Sequence, residues 1–284
     1  MNSEEKGVPI RVPATANLMI ASEDRVIGTS VDFNISRNES IMNGFFNRIG
    51  TTEVVLNWNV PNVSAATGNN TFSVTIGGTP FNVVVPDGNY DVYSLLIMLA
   101  GLLEDAPGMA PRVWAAVAPF AVANATGIAY LGCSVAYTLV QTRLSTQLGM
   151  TPGLSPAQGT DFGIQVINPD LRNYRYLDFV SDNLTYNQDV KDNSTNVLQR
   201  NVLCRWYFAD QVTNDVDIFG YPIFQQYTQF SERRIFSPPK QIRWNPTQPI
   251  GQMRFQLYLD SSPTPATQIA PFVEWYMTLQ VSEN

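Results

Sequence analysis

The sequence predicts a mainly β protein, an antiparallel single jelly-roll sandwich interrupted by an α+β insertion module. Three observations carry this. Short strand-like runs separated by turn residues occupy the chain before about residue 63 and again after Asp161, and they total about eight or nine strands, the number a jelly roll uses. One stretch, at about 68–155, breaks that pattern with a hairpin and the best amphipathic helix in the chain. No repeat recurs at fixed spacing, which argues against propellers and solenoids.

Taken in order, residues 1–20 contain Pro9 and Pro13 and no clear periodicity, so they read as an N-terminal arm. The jelly-roll core is expected at 21–67 and 156–284. Its first part holds VIGTSVDFNIS from Val26 and TEVVLNWNVPNV at 52–63. There Val54, Leu56 and Trp58 alternate with Val55, Asn57 and Asn59, the period of two that a strand requires.

Residues 68–155 read as the insert. NTFSVTIGGTPFNVVV gives strand 71–76, a Gly77-Gly78 turn and strand 81–85. Asp91 is placed to cap a helix over DVYSLLIMLAGLLEDA, with Val92, Leu95, Leu96, Leu99 and Leu103 on one face and Pro107-Gly108 as the stop. From Val113 to Thr142 no side chain is charged. Pro119 and the turn-like Asn124-Ala125-Thr126-Gly127 cut this stretch into runs shorter than the ~20 residues of a spanning helix, so it predicts a buried hairpin and no transmembrane segment. A short helix is expected at 142–148, ending at Gly149, and the loop TPGLSPAQGTD returns the chain to strands. The remaining strand candidates are FGIQVINP, YRYLDFVSDNLT, VLCRWYFA, YTQFSERRIF, KQIRW, MRFQLYLD and FVEWYMTLQV. Trp206, Trp244 and Trp275 fall on three of them, and Trp206 and Trp275 read as core.

Composition narrows the chemistry. The chain has 284 residues, a net charge of −7 and no histidine. Without histidine there is no Ser-His-Asp triad, Cys-His pair, HExxH zinc site or imidazole base. The three lysines, Lys6, Lys191 and Lys240, sit in no phosphate-binding GxxxxGK[ST] frame, and nucleophile-elbow, GxGxxG and kinase signatures are missing too. The acidic balance argues against a specific nucleic-acid partner, which calls for a basic stripe. Charged residues make up 14% of the chain, against a norm of ~25%, and 40 Asn and Gln fill the gap. A polar surface poor in charge suits buried contact, because charge is depleted at interface cores. Cys133 and Cys204 form neither a disulfide framework nor a zinc site, and the opening MNSEEKGVPIRV has no apolar h-region, so the chain is not expected to be secreted.

Each candidate site has a plainer reading. Asn214-Asp215-Val216-Asp217 with Gly220 resembles part of a calcium loop, but the distal bidentate Glu is missing, and a solvated hairpin tip accounts for it better. Asp189 and Asp192 around Lys191 read as an exposed acidic loop. Glu232-Arg233-Arg234 reads either as a surface ion pair or as an arginine contact to a neighbouring subunit, and the 14 Arg against 3 Lys favour contact. The acids Glu53, Asp87, Asp91, Glu104 and Asp105, with no base between residues 49 and 111, read as an acidic solvent face of the insert. No acid pair marks a glycosidase cleft. The residues therefore predict no catalytic site, no cofactor, no metal and no enzyme.

Two parts of the chain resemble the single jelly-roll penton and minor capsid proteins of large icosahedral double-stranded DNA viruses and virophages. One is Ser22-Glu23-Asp24-Arg25, Asp32-Phe33-Asn34-Ile35 and EVVLNWNVPNV, followed by the Gly-Gly hairpin, PDGNY and the leucine-rich helix. The other is FSPPKQIRWNPTQPIGQMRFQLYLD at 236–260. The resemblance implies a non-enzymatic virion protein assembled inside the host cell. It further implies a homopentamer at the fivefold vertex, in contact with major capsid protein capsomers and minor capsid proteins. Double jelly-roll proteins form the trimeric capsomers in that group, and this chain is too short for two. A minor cement position and a carbohydrate-binding jelly roll stay open as alternatives.

Overall fold

The structure, a computed structural model, describes residues 15–36, 46, 48–109, 113–117, 129–158, 161–167, 169–184, 202–208, 229–243, 251–260 and 262–283. The chain divides into two compact units, one built from residues up to Trp58, Tyr176–Phe208 and Ser231–Asn284, the other from Asn59–Arg175 with Ala209–Phe230.

The first unit is a sandwich of two antiparallel sheets. One sheet contains β1 (Thr15–Ala21), β18 (Val273–Ser282), β4 (Arg48–Trp58) and β15 (Phe230–Ile235), with β16 (Gln241–Arg243) also on β4. The other orders β14 (Val202–Tyr207), β13 (Tyr176–Val180), β17 (Gln252–Leu259), β3 (Asp32–Ser36) and β2 (Ile27–Thr29). If β15 with β16 is counted as one strand and the short β2 is set aside, the eight strands lie in the orders 1-8-3-6 and 2-7-4-5. That is the jelly-roll order, and the predicted fold class holds. The insert leaves between the third strand, β4, and the fourth, β13.

Alternation builds the core. In β18, Val273, Trp275, Met277, Leu279 and Val281 are buried while the residues between them are not. Trp275 has no solvent exposure, and its ring meets Phe33, Phe179 and Phe255 of the opposite sheet at centroid distances of 5.5, 5.2 and 5.9 Å. Its indole N–H donates to the Ser30 carbonyl at 2.8 Å, so the buried polar atom is satisfied. Trp206 is buried as predicted, whereas Trp244 lies outside the described residues.

The second unit encloses its own core between two antiparallel sheets. One contains β5 (Thr71–Ile76), β6 (Thr79–Val84), β9 (Thr138–Val140) and β10 (Gly153–Leu154). The other contains β7 (Trp114–Val117), β8 (Ala129–Cys133), β11 (Ala157–Gln158) and β12 (Asp161–Val166). Helix α1 (Val92–Glu104) is capped by Asp91, whose carboxylate accepts from the Ser94 N–H at 2.9 Å. The apolar face read from the sequence is its buried face. Helix α2 (Arg143–Gln147) starts from a Thr142 cap. It ends in a Schellman motif, in which Gly149 N–H donates to Thr146 O and Met150 N–H to Ser145 O.

The structure differs from the sequence reading in four places. Residues 15–20, assigned to the arm, lie in β1 and pair with β18 from Thr15↔Ser282 to Ala21↔Tyr276. Residues 1–14 lie outside the described residues. The stretch from Val26 to Ser36 is a hairpin of β2 and β3 rather than one strand. The second apolar run of the 113–142 segment splits at Ser134, β8 joining β12 and β9 joining β5. Finally, the compact insert spans 59–175 instead of 68–155.

That last difference has a physical cause. Asn62 and Asn69 near the start of the insert and Asn173 near its end share one buried amide network. Asn69, fully buried, donates to Asn62 O at 2.8 Å and to Gln147 Oε1 at 2.7 Å, while Asn173 donates to Asn62 O at 2.9 Å. The two ends are therefore tied together well outside the predicted limits.

Candidate assembly surfaces

The predicted chemistry-bearing residues mostly serve the fold. Glu232-Arg233-Arg234 lies on β15, and each arginine meets an acid of its own chain. Arg233 pairs side-on with Glu53 of β4, Nε to Oε1 at 2.7 Å and Nη2 to Oε2 at 2.9 Å, and these bonds hold the Glu53 carboxyl below its ordinary range. Arg234 reaches Glu232 at 3.2 Å and stacks over the Trp206 ring at 4.2 Å from its centroid. The ion-pair reading of this tripeptide is the one the geometry matches.

Four of the five acids between 49 and 111, all but Asp105, are likewise occupied. Glu53 belongs to the sandwich rather than to the insert. Asp87 accepts from Ala65 N–H at 2.8 Å, Asp91 caps α1, and Glu104 accepts from Trp114 N–H at 2.9 Å. Cys133 and Cys204 are buried and not joined in a disulfide, and burial pushes the Cys204 thiol up to about 12. Among the described residues no three His, Cys, Asp or Glu side chains gather as metal ligands, and no helix is long and apolar enough to cross a membrane. Residues 189–192 and 214–217 lie outside the described residues.

The two sandwich sheets present different outer faces. On the β14-β13-β17-β3 sheet the outward residues are charged and locked together. Asp178, with no solvent exposure, takes Arg205 side-on at 2.6 and 2.9 Å. The guanidinium lies 3.9 Å from the centroid of the Tyr176 ring, and its hydrogen bonds to Asp178 raise its pKa further. Beside it, Arg254 clamps Asp32 at 2.9 Å through both nitrogens. Tyr207, on the edge strand β14, is 56% exposed next to this cluster.

The β1-β18-β4-β15 sheet has the opposite character. Register places Asn17 against Gln280, Met19 against Thr278 and Ala21 against Tyr276, and Tyr276 lies in turn against Val55. Apart from Glu274, Arg48 opposite Ser282, Glu23, which accepts from the Tyr276 hydroxyl at 2.8 Å, and the Glu53–Arg233 pair, the outward residues of β1, β18 and β4 are uncharged and polar or apolar. Edge strand β1, TANLMIA, has no charge and no proline, and Met19 on it is 77% exposed. Sheet edges are ordinarily protected by charge, Pro or a bulge, and the described residues Thr15–Ala21 of β1 carry none of these. The sequence reading passed over this surface, although its signal was present as Thr278, Gln280 and Ser282 alternating with the buried residues of β18.

No family model matches the chain, and no curated protein matches it by sequence. Among solved structures it is similar to the mavirus penton protein, at 11% sequence identity and a TM-score of 0.50, over 96% of this chain and 100% of that one. At that identity the likeness speaks for architecture: the chain has the jelly-roll fold that the mavirus penton protein also has.

Proposed function

We propose that the chain is a virion structural protein, most specifically the penton that fills the fivefold vertex of an icosahedral capsid as a homopentamer. It acts by contact rather than catalysis, against itself, the surrounding major capsid protein capsomers and minor capsid proteins. The observation that carries this reading is the match to the mavirus penton protein, which leaves out too little of either chain to omit the sandwich or the insert. The sparsely charged outer face of the β1-β18-β4 sheet and the charge-free β1 edge support it. A ring is built from two different flanks of each subunit, and interface cores exclude unpaired charge.

The test is the mass of the purified chain by light scattering at several concentrations. A discrete species near five times 31.6 kDa is expected. A trimer overturns the vertex assignment, and a monomer at every concentration shifts it to a minor cement position. One observation favours a second reading. Tyr207, exposed beside Arg205 and Tyr176, is an aromatic and hydrogen-bonding platform of the kind that stacks on sugar rings. Binding on a glycan array that is lost in Tyr207→Ala would establish carbohydrate recognition.

A further inference from the structure

Among the described residues, helix α1 carries a second stripe that is only partly buried. The residues Ser94, Ile97, Met98, Gly101, Leu102 and Asp105 line a shallow groove of about 420 Å³ along the helix. They recur at helical spacing on the side away from Leu95, Leu96 and Leu99, which are fully buried. Ile97 is 53% exposed, and Met98 and Leu102 are half-buried, packed on the core from one side only. From Val92 to Leu103 the helix has no charged residue, so it is apolar on both faces.

Two local choices on this stripe work against the isolated helix. Gly101 is an exposed glycine in the last turn of the helix, and glycine is among the weakest helix formers. Nothing in the fold calls for it: a Cβ built there meets no atom within 4 Å, and its backbone is ordinary helix. Asp105 sits at the C-terminal end, where the helix dipole is already negative, and the last turn has no base to offset it. Both choices become favourable when a second chain lies in the groove. Glycine lets a backbone or bulky side chain approach closely, and the negative end pairs with a cation.

We propose that this stripe of α1 is a docking groove for an apolar segment flanked by Lys or Arg, supplied by a different protein. Charge complementarity selects the basic flank. A second copy presenting the same stretch is a poor occupant, since 49–111 contains no Lys or Arg. The inference goes beyond the vertex reading and is independent of oligomeric state. Methionine at the centre of the groove suits a surface that adapts its packing to what it binds.

The test uses the full chain and two fluorescent synthetic peptides, each an amphipathic helix of leucines at helical spacing. One has Lys and Arg flanks, the other Glu flanks. Anisotropy titrations are expected to show the basic peptide binding at least about tenfold more tightly than its charge-reversed twin. Gly101→Leu, which fills the groove without changing net charge, is expected to weaken the basic peptide about tenfold. Gly101→Ala is expected to raise Tm by about 2–4 °C, because the helix itself prefers alanine. Equal binding of the two peptides, or undiminished binding to Gly101→Leu, overturns the proposal. So does a lowered Tm in Gly101→Ala, which would mean the glycine serves the fold. A change of oligomeric mass in Gly101→Leu also overturns it, by assigning the groove to a second copy. Light scattering of the wild type reports on the pentamer separately, so the two readings fail distinguishably.

Discussion

Replacing Trp275 by Phe tests whether the aromatic centre of the sandwich depends on a satisfied indole or on ring packing alone. The substitution removes the N–H that meets the Ser30 carbonyl at 2.8 Å and leaves a buried acceptor unpaired, at a cost of about 1–3 kcal/mol. It also opens a void of roughly 40 Å³, worth about 1 kcal/mol at the usual cavity coefficient. A phenyl ring keeps most of the contact with Phe33, Phe179 and Phe255, so little more is lost. The expected destabilisation is therefore about 2–4 kcal/mol. Trp114 in the insert is the matched control. It is buried against Tyr137 at 4.9 Å, but its indole N–H has no hydrogen-bond partner among the described residues. Trp114→Phe then forfeits only the cavity, about 1 kcal/mol or less. Urea unfolding followed by far-ultraviolet circular dichroism measures both, since the substitutions remove fluorophores. Equal losses in the two variants, or a larger loss for Trp114→Phe, would refute the argument that the Ser30 hydrogen bond separates them.

Three shorter predictions follow from the same geometry. Arg205→Met removes the bidentate partner of Asp178, whose carboxylate has no solvent exposure, and is expected to cost about 3 kcal/mol in urea unfolding. Adding Asp178→Asn should recover part of that loss, giving a coupling of about 2 kcal/mol in a double-mutant cycle; simple additivity would mean the pair is not coupled. Cys133 and Cys204, both buried, should resist an aqueous thiol reagent at pH 8 until urea exposes them. The Cys204 thiol is raised from 9.0 to about 12 on folding, so its contribution to stability is fully present below pH 9 and is lost as pH rises toward about 12. Folding stability should accordingly decline across that window, and a Cys204→Ser variant should decline less steeply, the buried Tyr137 phenol, also raised by burial, keeping the remainder of the slope. Gly149→Ala places a Cβ on the Ile167 carbonyl at a backbone φ of +64° and is expected to cost more than about 2 kcal/mol, readable as a fall in urea midpoint.

What the sequence displayed was local, and what it concealed was pairing. Helix α1 is legible because Asp91, the 3.6-residue spacing and the Pro107-Gly108 stop all lie within one short window. The β5–β6 hairpin is legible because Gly77 and Gly78, both at positive φ, make a two-residue turn that fixes its own register. By contrast, FGIQVI at β12 reads correctly as a strand but not as a strand of the insert. Its partner is β8, and part of what decides this is the buried Tyr137 hydroxyl, which donates to Leu131 O and accepts from Ile164 N–H. The amide network that sets the insert's ends was hidden for a different reason. Asn62, Asn69 and Asn173 look like any others among 40 Asn and Gln, and only the hydrogen bonds they share in the folded chain distinguish them. Strand β1 escaped notice because an edge strand needs only one apolar side, here Ile20 fully and Leu18 partly buried.

The excess of arginine over lysine has a use within the chain itself. That excess suggested guanidinium groups reaching for neighbouring subunits. Four of them, Arg172, Arg205, Arg233 and Arg254, instead hold acids of the same chain in side-on bidentate pairs. Planar two-bond geometry is what lysine cannot supply, which accounts for the choice of arginine without any partner. By neutralising Glu53 inside the chain, Arg233 leaves the outer face of the β1-β18-β4 sheet with little net field, so a neighbour there can be held by shape and neutral hydrogen bonds. Such contacts are nearly indifferent to ionic strength, whereas the acidic end of the α1 groove attracts its partner through charge that salt screens over about 10 Å at 0.1 M. The two surfaces thus separate by physics as well as by position in the sequence. Contacts through the sheet should survive high salt, and contacts through the groove should not.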